Sequence, residues 1–350
     1  RQRQMCIRDR LRNRWGLLPT QVTALTVLVQ WGFVAGTAAA ALLNLADVLP
    51  SRRYFALSAL LAAAVNAGLL LAPGFGAAGA LRFLTGFFLA GVYPPAMKMI
   101  ATWFRSARGL AIGTVVGALT VGKAAPYLLK ALGGTTLEAV VLGTSAAGVA
   151  AALLVLGFYR DGPHLFPTRP FAWSRVGELF RHRPTMLATG GYLGHMWELY
   201  AMWTLVPAFF AAALADRAGP LPVWASADLL GFLVIAAGGA GAVAAGRWAD
   251  TAGRERVTMA AMGVSGACSL SVGWLLNGPL GLLVSLALLW GFSVVADSAQ
   301  FSAVVTEVAP AHAVGTALTL QTALGFALTG ISIDLTGRVV EAAGWGVGFS

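Results

Sequence analysis

The sequence predicts an all-α integral membrane protein, and three observations lead there. Of its 350 residues 58% are hydrophobic and only 11% charged, and the mean hydropathy is +0.75, far too apolar for a soluble domain. The apolar residues fall into runs of about 20, the length that crosses a bilayer as a helix. The arginines gather in the short breaks between those runs, as the positive-inside ordering of a multi-pass chain requires.

Composition also excludes several function classes. A net charge of +10 would suit nucleic acid, but the loop positions of the arginines explain it, so no nucleic-acid partner is expected. Two cysteines, Cys6 and Cys268, are too few and too far apart for a disulfide framework or a metal site. His164, His182, His195 and His312 have no ligand spacing, and no phosphate-binding glycine loop or nucleophile elbow occurs. Neither an enzyme, a metal nor a cofactor is expected. Residues 1–14 are arginine-rich, lack the apolar segment of a signal peptide, and read as a non-native leader.

Apolar runs predict helices near 21–46, 54–72, 79–102, 109–131 and 137–158, then near 185–213, 226–248, 257–276, 280–304 and 314–336, with a last run from Gly344. Between the two sets lies a basic, proline-rich loop, Tyr159 to Pro184. Arg52, Arg53, Arg105, Arg108, this loop, Arg254 and Arg256 share one side, which the positive-inside rule assigns to the cytoplasm. The run 21–46 then enters from outside.

One stretch is more specific than any of these. Gly246-Arg247-Trp248-Ala249-Asp250-Thr251-Ala252-Gly253-Arg254-Glu255-Arg256 sets an acid at the end of one run and two arginines across a glycine turn, groups able to pair with each other and with the neighbouring helix's carbonyl end. The pattern Gly-x-x-x-Asp-x-x-Gly-Arg-x-Arg resembles the signature loop of the major facilitator superfamily (MFS). That resemblance implies two pseudo-symmetric six-helix bundles and a gate at Gly246, Asp250, Gly253, Arg254 and Arg256. A degraded copy, Leu43 to Arg53, precedes it by 203 residues, matching Asp47 to Asp250 and Arg53 to Arg256. In family register the first visible run is helix 2, so about ten complete spans remain and the chain reads as a fragment lacking helix 1 and most of helix 12. The division is 1–14 leader, 15–158 N-terminal bundle (helices 2–6), 159–184 cytoplasmic linker and 185–350 C-terminal bundle (helices 7–11 and the start of 12).

Arg82-x-x-x-Gly86 resembles a second family motif. Beyond it, Gly109, Gly113 and Gly117 recur every four residues, ending near Gly122 and Pro126, a spacing that lets two helices approach closely in lipid. Ala125-Pro126 departs from the Gly-Pro pair of the family's antiporter motif.

Charges inside spans are costly and point toward cavities. They fall on family helix 4 (Arg82, Lys98), helix 5 (Lys123), helix 7 (His195, Glu198) and helix 10 (Asp297), while helices 3, 6 and 9 carry none in their interiors. The resemblance implies that helices 1, 4, 7 and 10 line the solute path. His195 and Glu198, three apart, share a helix face with Met202. Glu198, His195 and Asp297 are the expected proton-coupling residues, and Arg82, Lys123, Tyr93, Trp197 and Gln300 the expected solute contacts.

These readings converge on a secondary active transporter of the plasma (inner) membrane, multi-pass and monomeric. It would move a small polar or anionic solute by alternating access with protons, loosely like the nitrate, nitrite and cyanate porters. Two alternatives keep the fold: a proton-coupled multidrug efflux protein, and a membrane sensor that does not transport.

Overall fold

A computed structural model describes residues 19–43, 45–104, 107–132, 136–164, 172–215, 217, 222 and 224–350, with backbone alone at 19, 20, 22, 23, 46, 47 and 101. The leader 1–14 lies outside the described residues. All regular structure among the described residues is helical: α1 (Pro19–Leu42), α2 (Leu45–Val48), α3 (Ser51–Gly68), α4 (Phe75–Leu89), α5 (Tyr93–Ala101), α6 (Arg108–Ala131), α7 (Leu137–Phe158), α8 (Val176–Arg181), α9 (Arg183–Ala215), α10 (Ala227–Ala252), α11 (Arg254–Val272), α12 (Leu280–Ala296), α13 (Ser298–Val308) and α14 (Val314–Gly348), with three short 3-10 turns. Ten helical segments among them are long and apolar enough to cross a membrane.

Two expected spans are broken. The run 79–102 divides at Ala90–Val92 into α4 and α5, where Pro94 and Pro95 occupy the first turn of α5; proline lacks the amide that would continue a helix but suits its start. The run 280–304 divides at Asp297 into α12 and α13 and extends to Val308. Within the range of α14 the helix is interrupted by a kink at Gly344, where φ is +83° and ψ 174°, at the position where the sequence places the start of a last run. A glycine tolerates that conformation without strain.

The described residues form two compact units. The first draws on Arg1–Arg105, Gly134–His182 and Ala309–Gly330, the second on Ser106–Gly133, Arg183–Val308 and Ile331–Ser350.

In the first unit α1 and α4 are in near backbone contact, since a Cβ at Gly32, Gly36 or Gly86 would overlap a carbonyl of the facing helix. Phe33 of α1 stacks on Phe326 of α14 with ring centroids 4.0 Å apart. Asn66 of α3 satisfies its amide on α7, at Val141 O (3.2 Å), Thr144 Oγ1 (3.1 Å) and Ser145 Oγ (2.9 Å), removing a polar cost that lipid would impose. The linker begins pinned: Gly162 N donates to Thr102 Oγ1 (3.1 Å), His164 N to Thr102 O (3.0 Å) and Trp103 Nε1 to Arg160 O (3.0 Å). Later in the linker, Glu178 of α8 meets His312 Nε2 at 3.0 Å, and Arg175 donates to the His312 carbonyl.

The second unit is built on α10, which packs between α6 and α12. Gly109, Gly113 and Gly117 of α6 face Gly246, Ala242 and Gly239 of α10 in order, so the predicted glycine ladder finds its partner in the helix that carries the charged motif. On the other side Gly238 and Gly241 of α10 meet α12, and Gly291 of α12 lies against Val234. Arg217, after α9, donates to Leu276 O (3.3 Å) and Gly278 O (2.7 Å) and so holds the α11–α12 turn.

Candidate functional site

The charged motif ends α10 and begins α11. Gly253 makes the turn with φ +90°, a left-handed conformation that costs glycine little. Asp250 reaches the start of α6, where Gly109 N donates to Oδ1 (2.9 Å) and Leu110 N to Oδ2 (3.1 Å). These amides lack intrahelical acceptors, and the positive end of the helix dipole favours the carboxylate. The expected pairing between Asp250 and the arginines of its own motif is therefore corrected, because helix-end amides compete for the carboxylate at closer range. Arg254 turns elsewhere, its Nε donating to Glu307 Oε1 (2.9 Å) and its Nη1 to Gln300 Oε1 (3.1 Å). Arg256 and Arg53 are exposed. The side chain of Asp47 lies outside the described residues.

Gln300, expected among the solute contacts, is fully buried in this arginine network. Three residues after the Asp297 break, it meets Arg254 of α11.

The acids of the spans separate into two sets. His195 and Asp297 are each 2% exposed. The imidazole Nδ1 stands 2.7 Å from Asp297 Oδ1, and Nε2 lies 3.1 Å from Ser298 Oγ. Asp297 Oδ1 has no aligned hydrogen-bond donor among the described residues, so the pair is a close approach and not a directed hydrogen bond. Asp297 stands at the break between α12 and α13, and His195 packs there against Phe301 and near Tyr192.

Glu198, one turn further along α9, faces a different set of helices. Ser265 Oγ of α11 donates to Oε1 (2.5 Å), and so does Trp290 Nε1 of α12 (2.6 Å). Both donors are neutral and both use the same oxygen. Glu198 opens on a cavity of about 330 Å³ lined also by Trp197, Met202, Trp290 and Thr336. The predicted shared stripe of Glu198 and Met202 thus exists as a cavity wall, with His195 turned away from it to Asp297.

The cations of the spans are dispersed. Arg82 is half-buried on α4, with no hydrogen bond or ion pair among the described residues. Lys123 of α6 lies 6.0 Å from the centre of the Trp203 ring, within range of a cation–π interaction. Tyr93 opens α5 directly after the α4–α5 break. Lys130, at the last turn of α6, pairs with Asp228 in the first turn of α10 at 2.8 Å.

Sequence reasoning missed the neutral polar groups. Gln321 of α14 is 1% exposed with neither amide atom hydrogen-bonded, and Thr37 Oγ1 of α1 is likewise buried and unpartnered. A search for charges alone passes over them. Glutamine inside an apolar run was the available signal.

The sequence profile of the Major Facilitator Superfamily matches residues 11–333. The chain belongs to that superfamily. A search of curated proteins gives no significant match. Among solved structures, the human organic anion transporter MFSD10 (TETRAN) superposes with a TM-score of 0.66 at 16% identity, over 98% of this chain and 85% of that one, a likeness of fold. This MFS protein is a multi-pass membrane transporter and not an enzyme.

Proposed function

We propose that this MFS protein is a secondary active transporter that moves a small polar or anionic solute by alternating access, driven by protons, as a monomer in the plasma (inner) membrane. The observation that carries the proton reading is Glu198, a carboxylate within a membrane span held, among the described residues, by the neutral donors Ser265 and Trp290. Such a group can gain and lose a proton without breaking an ion pair. The His195–Asp297 pair offers a second proton-exchanging site.

The solute class rests on cations. A guanidinium stays charged in proteins, and one that lies in a span without a partner calls for a compensating anion; among the described residues Arg82 has none. Arg82, Lys123, Tyr93 and Trp197 are the proposed contacts, and nitrate-like inorganic anions and organic acids the first solutes to try. The name of MFSD10 as an organic anion transporter agrees with this class.

The proposed gate comprises Gly246, Asp250, Gly253, Arg254 and Arg256, with Asp47 and Arg53 as its degraded counterpart. Its working parts are the Asp250 cap on α6 and the Arg254 links to Glu307 and Gln300, contacts that can form in one state and break in another. The halves 15–158 and 185–350, joined by 159–184, are the proposed moving bodies. One observation favours a second reading, efflux of amphipathic compounds in exchange for protons: the aromatic wall beside Glu198.

The test is uptake of small anions and organic acids into vesicles that hold the full-length protein, under an imposed pH gradient, with Glu198→Gln beside it. Uptake should follow the gradient and collapse in the variant. Intact gradient-driven uptake in the variant would move the proton to His195 and Asp297, and no anion uptake at all would favour efflux.

A further inference from the structure

We infer that the cavity beside Glu198 binds a small organic cation, an ammonium group seated between the free carboxylate oxygen and the indoles of Trp197 and Trp290. Three features of the cavity lead to this ligand class. Ser265 Oγ and Trp290 Nε1 both use Oε1, which leaves Oε2 without a donor among the described residues. His195, the nearest basic side chain on the same helix, is committed to Asp297 and Ser298. Trp197, Trp290, Phe349 and Met202 supply the large side chains of the wall, among glycine, alanine, serine and threonine.

Charge and size exclude the other classes. An anion placed against the free oxygen would meet like charge at short range, in surroundings that screen it poorly. A neutral apolar ligand would bury that oxygen without compensation, a large cost for a carboxylate. A metal ion needs several oxygen ligands, and no cluster of metal-binding residues occurs among the described residues. An alkylammonium meets both demands at once, since its charge neutralises the carboxylate while its carbon surface rests on indole faces. The volume of about 330 Å³ falls at the low end of ligand pockets, which limits the cation to the size of choline or a small arylalkylamine.

The cavity lies wholly within the second unit. The inference rests on the transport reading only in requiring that water reach the cavity, and it assigns the cavity to a positive solute group while Arg82 remains the counterpart for a negative one.

The test is equilibrium binding to the purified full-length protein in maltoside detergent micelles, which carry no ammonium group, followed by tryptophan fluorescence. The probe is choline, compared with 3,3-dimethylbutanol, which has its shape without its charge. Choline should bind saturably, and the neutral isostere about tenfold or more weaker. Glu198→Gln keeps an acceptor for Ser265 and Trp290 and should lower choline affinity about tenfold or more. Trp197→Leu should lower it about twofold to tenfold, which keeps the test independent of how the Glu198 variant folds. Equal affinity for the two probes, no saturable choline binding, or unchanged choline affinity in a folded Glu198→Gln protein would overturn the site. Gradient-driven anion uptake without choline binding would sink the cation site and leave the transport reading standing; choline binding without flux would do the reverse.

Discussion

Replacing Gly109 by alanine would press on the proposed gate at its tightest point. The new Cβ would stand 2.5 Å from Gly246 O and 2.7 Å from Asp250 Oδ1, about 0.9 Å inside ordinary contact. Neither obstacle is the loose end of a long side chain: one is the backbone of α10, and the other is a carboxylate held by two amides. The helices must therefore part, or Asp250 must leave its cap. Overpacking of this kind costs about 1–3 kcal/mol. Gly122→Ala on the same helix is the control, because a Cβ there meets nothing within 4 Å and gains only the helix preference of alanine, about 0.5–1 kcal/mol. Thermal unfolding in detergent, followed by tryptophan fluorescence, should place Gly109→Ala about 1–4 °C below Gly122→Ala. Adding Asp250→Ala to Gly109→Ala should cost much less than Asp250→Ala alone, since both changes strike one contact. A Gly109→Ala protein that melts level with the control, or strictly additive losses in the double variant, would refute the seam and its coupling to the aspartate.

Two further outcomes follow from the geometry at other points. Lys130 and Asp228 sit at the carbonyl end of α6 and the amide end of α10, so each charge also suits its helix dipole; the exchange Lys130→Asp with Asp228→Lys should fail to restore the stability lost in Lys130→Met, and full recovery in a melting experiment would count against this account. Burial, the main cause, together with the charge of Asp161 and its hydrogen bond, pushes the Tyr159 phenol above its ordinary value of 10.0, with the Thr102 hydrogen bond acting the other way. A folded value above the unfolded one favours the neutral phenol, so its contribution is complete below pH 10 and fades as pH rises through the raised value. Ultraviolet titration of Tyr159→Phe should show one late-ionising tyrosine fewer than the parent protein.

How much of this was legible in the sequence depends on the range of the interaction. Span positions follow from hydropathy, because every residue of a lipid-embedded helix reports the same solvent. The ladder Gly109, Gly113 and Gly117 announced a close approach by its spacing, yet it could not name Gly246, Ala242 and Gly239 as the surface approached. The motif residues of Gly246 to Arg256 were recognisable, but Asp250 caps a helix that starts 141 residues earlier, so its partner was not. Glu198 stood out as an acid within a span, whereas Ser265 and Trp290 looked like any serine and tryptophan of an apolar run. Gln300 was legible as a polar residue beside Asp297, but its link to Arg254, 46 residues away, was not.

The two breaks show why one was readable and the other was not. At Ala90–Val92 the interruption is local. Gly91 N and Val92 N turn back to Phe88 O and Leu89 O (both 3.0 Å), and Pro94 and Pro95 then start the next helix, so the break is a property of the segment itself. At the corresponding place in the second repeat no proline occurs between Leu280 and Val308. Only Asp297 stands there, with Gln300 N donating to its carbonyl (2.9 Å) and His195 against its carboxylate. Nothing in the local sequence forbids a straight helix, so the break at Asp297 depends on a partner from α9. Removing the carboxylate that meets this partner should let α12 and α13 merge: in Asp297→Ala, amide hydrogen exchange at 298–300 should slow as regular helical bonds replace the turn. In Pro94→Ala the α4–α5 break should persist less completely, because the missing amide returns while the preceding turn bonds remain. Exchange that is unchanged in Asp297→Ala would mean that packing of α13, and not the buried His195–Asp297 contact, sets the bend.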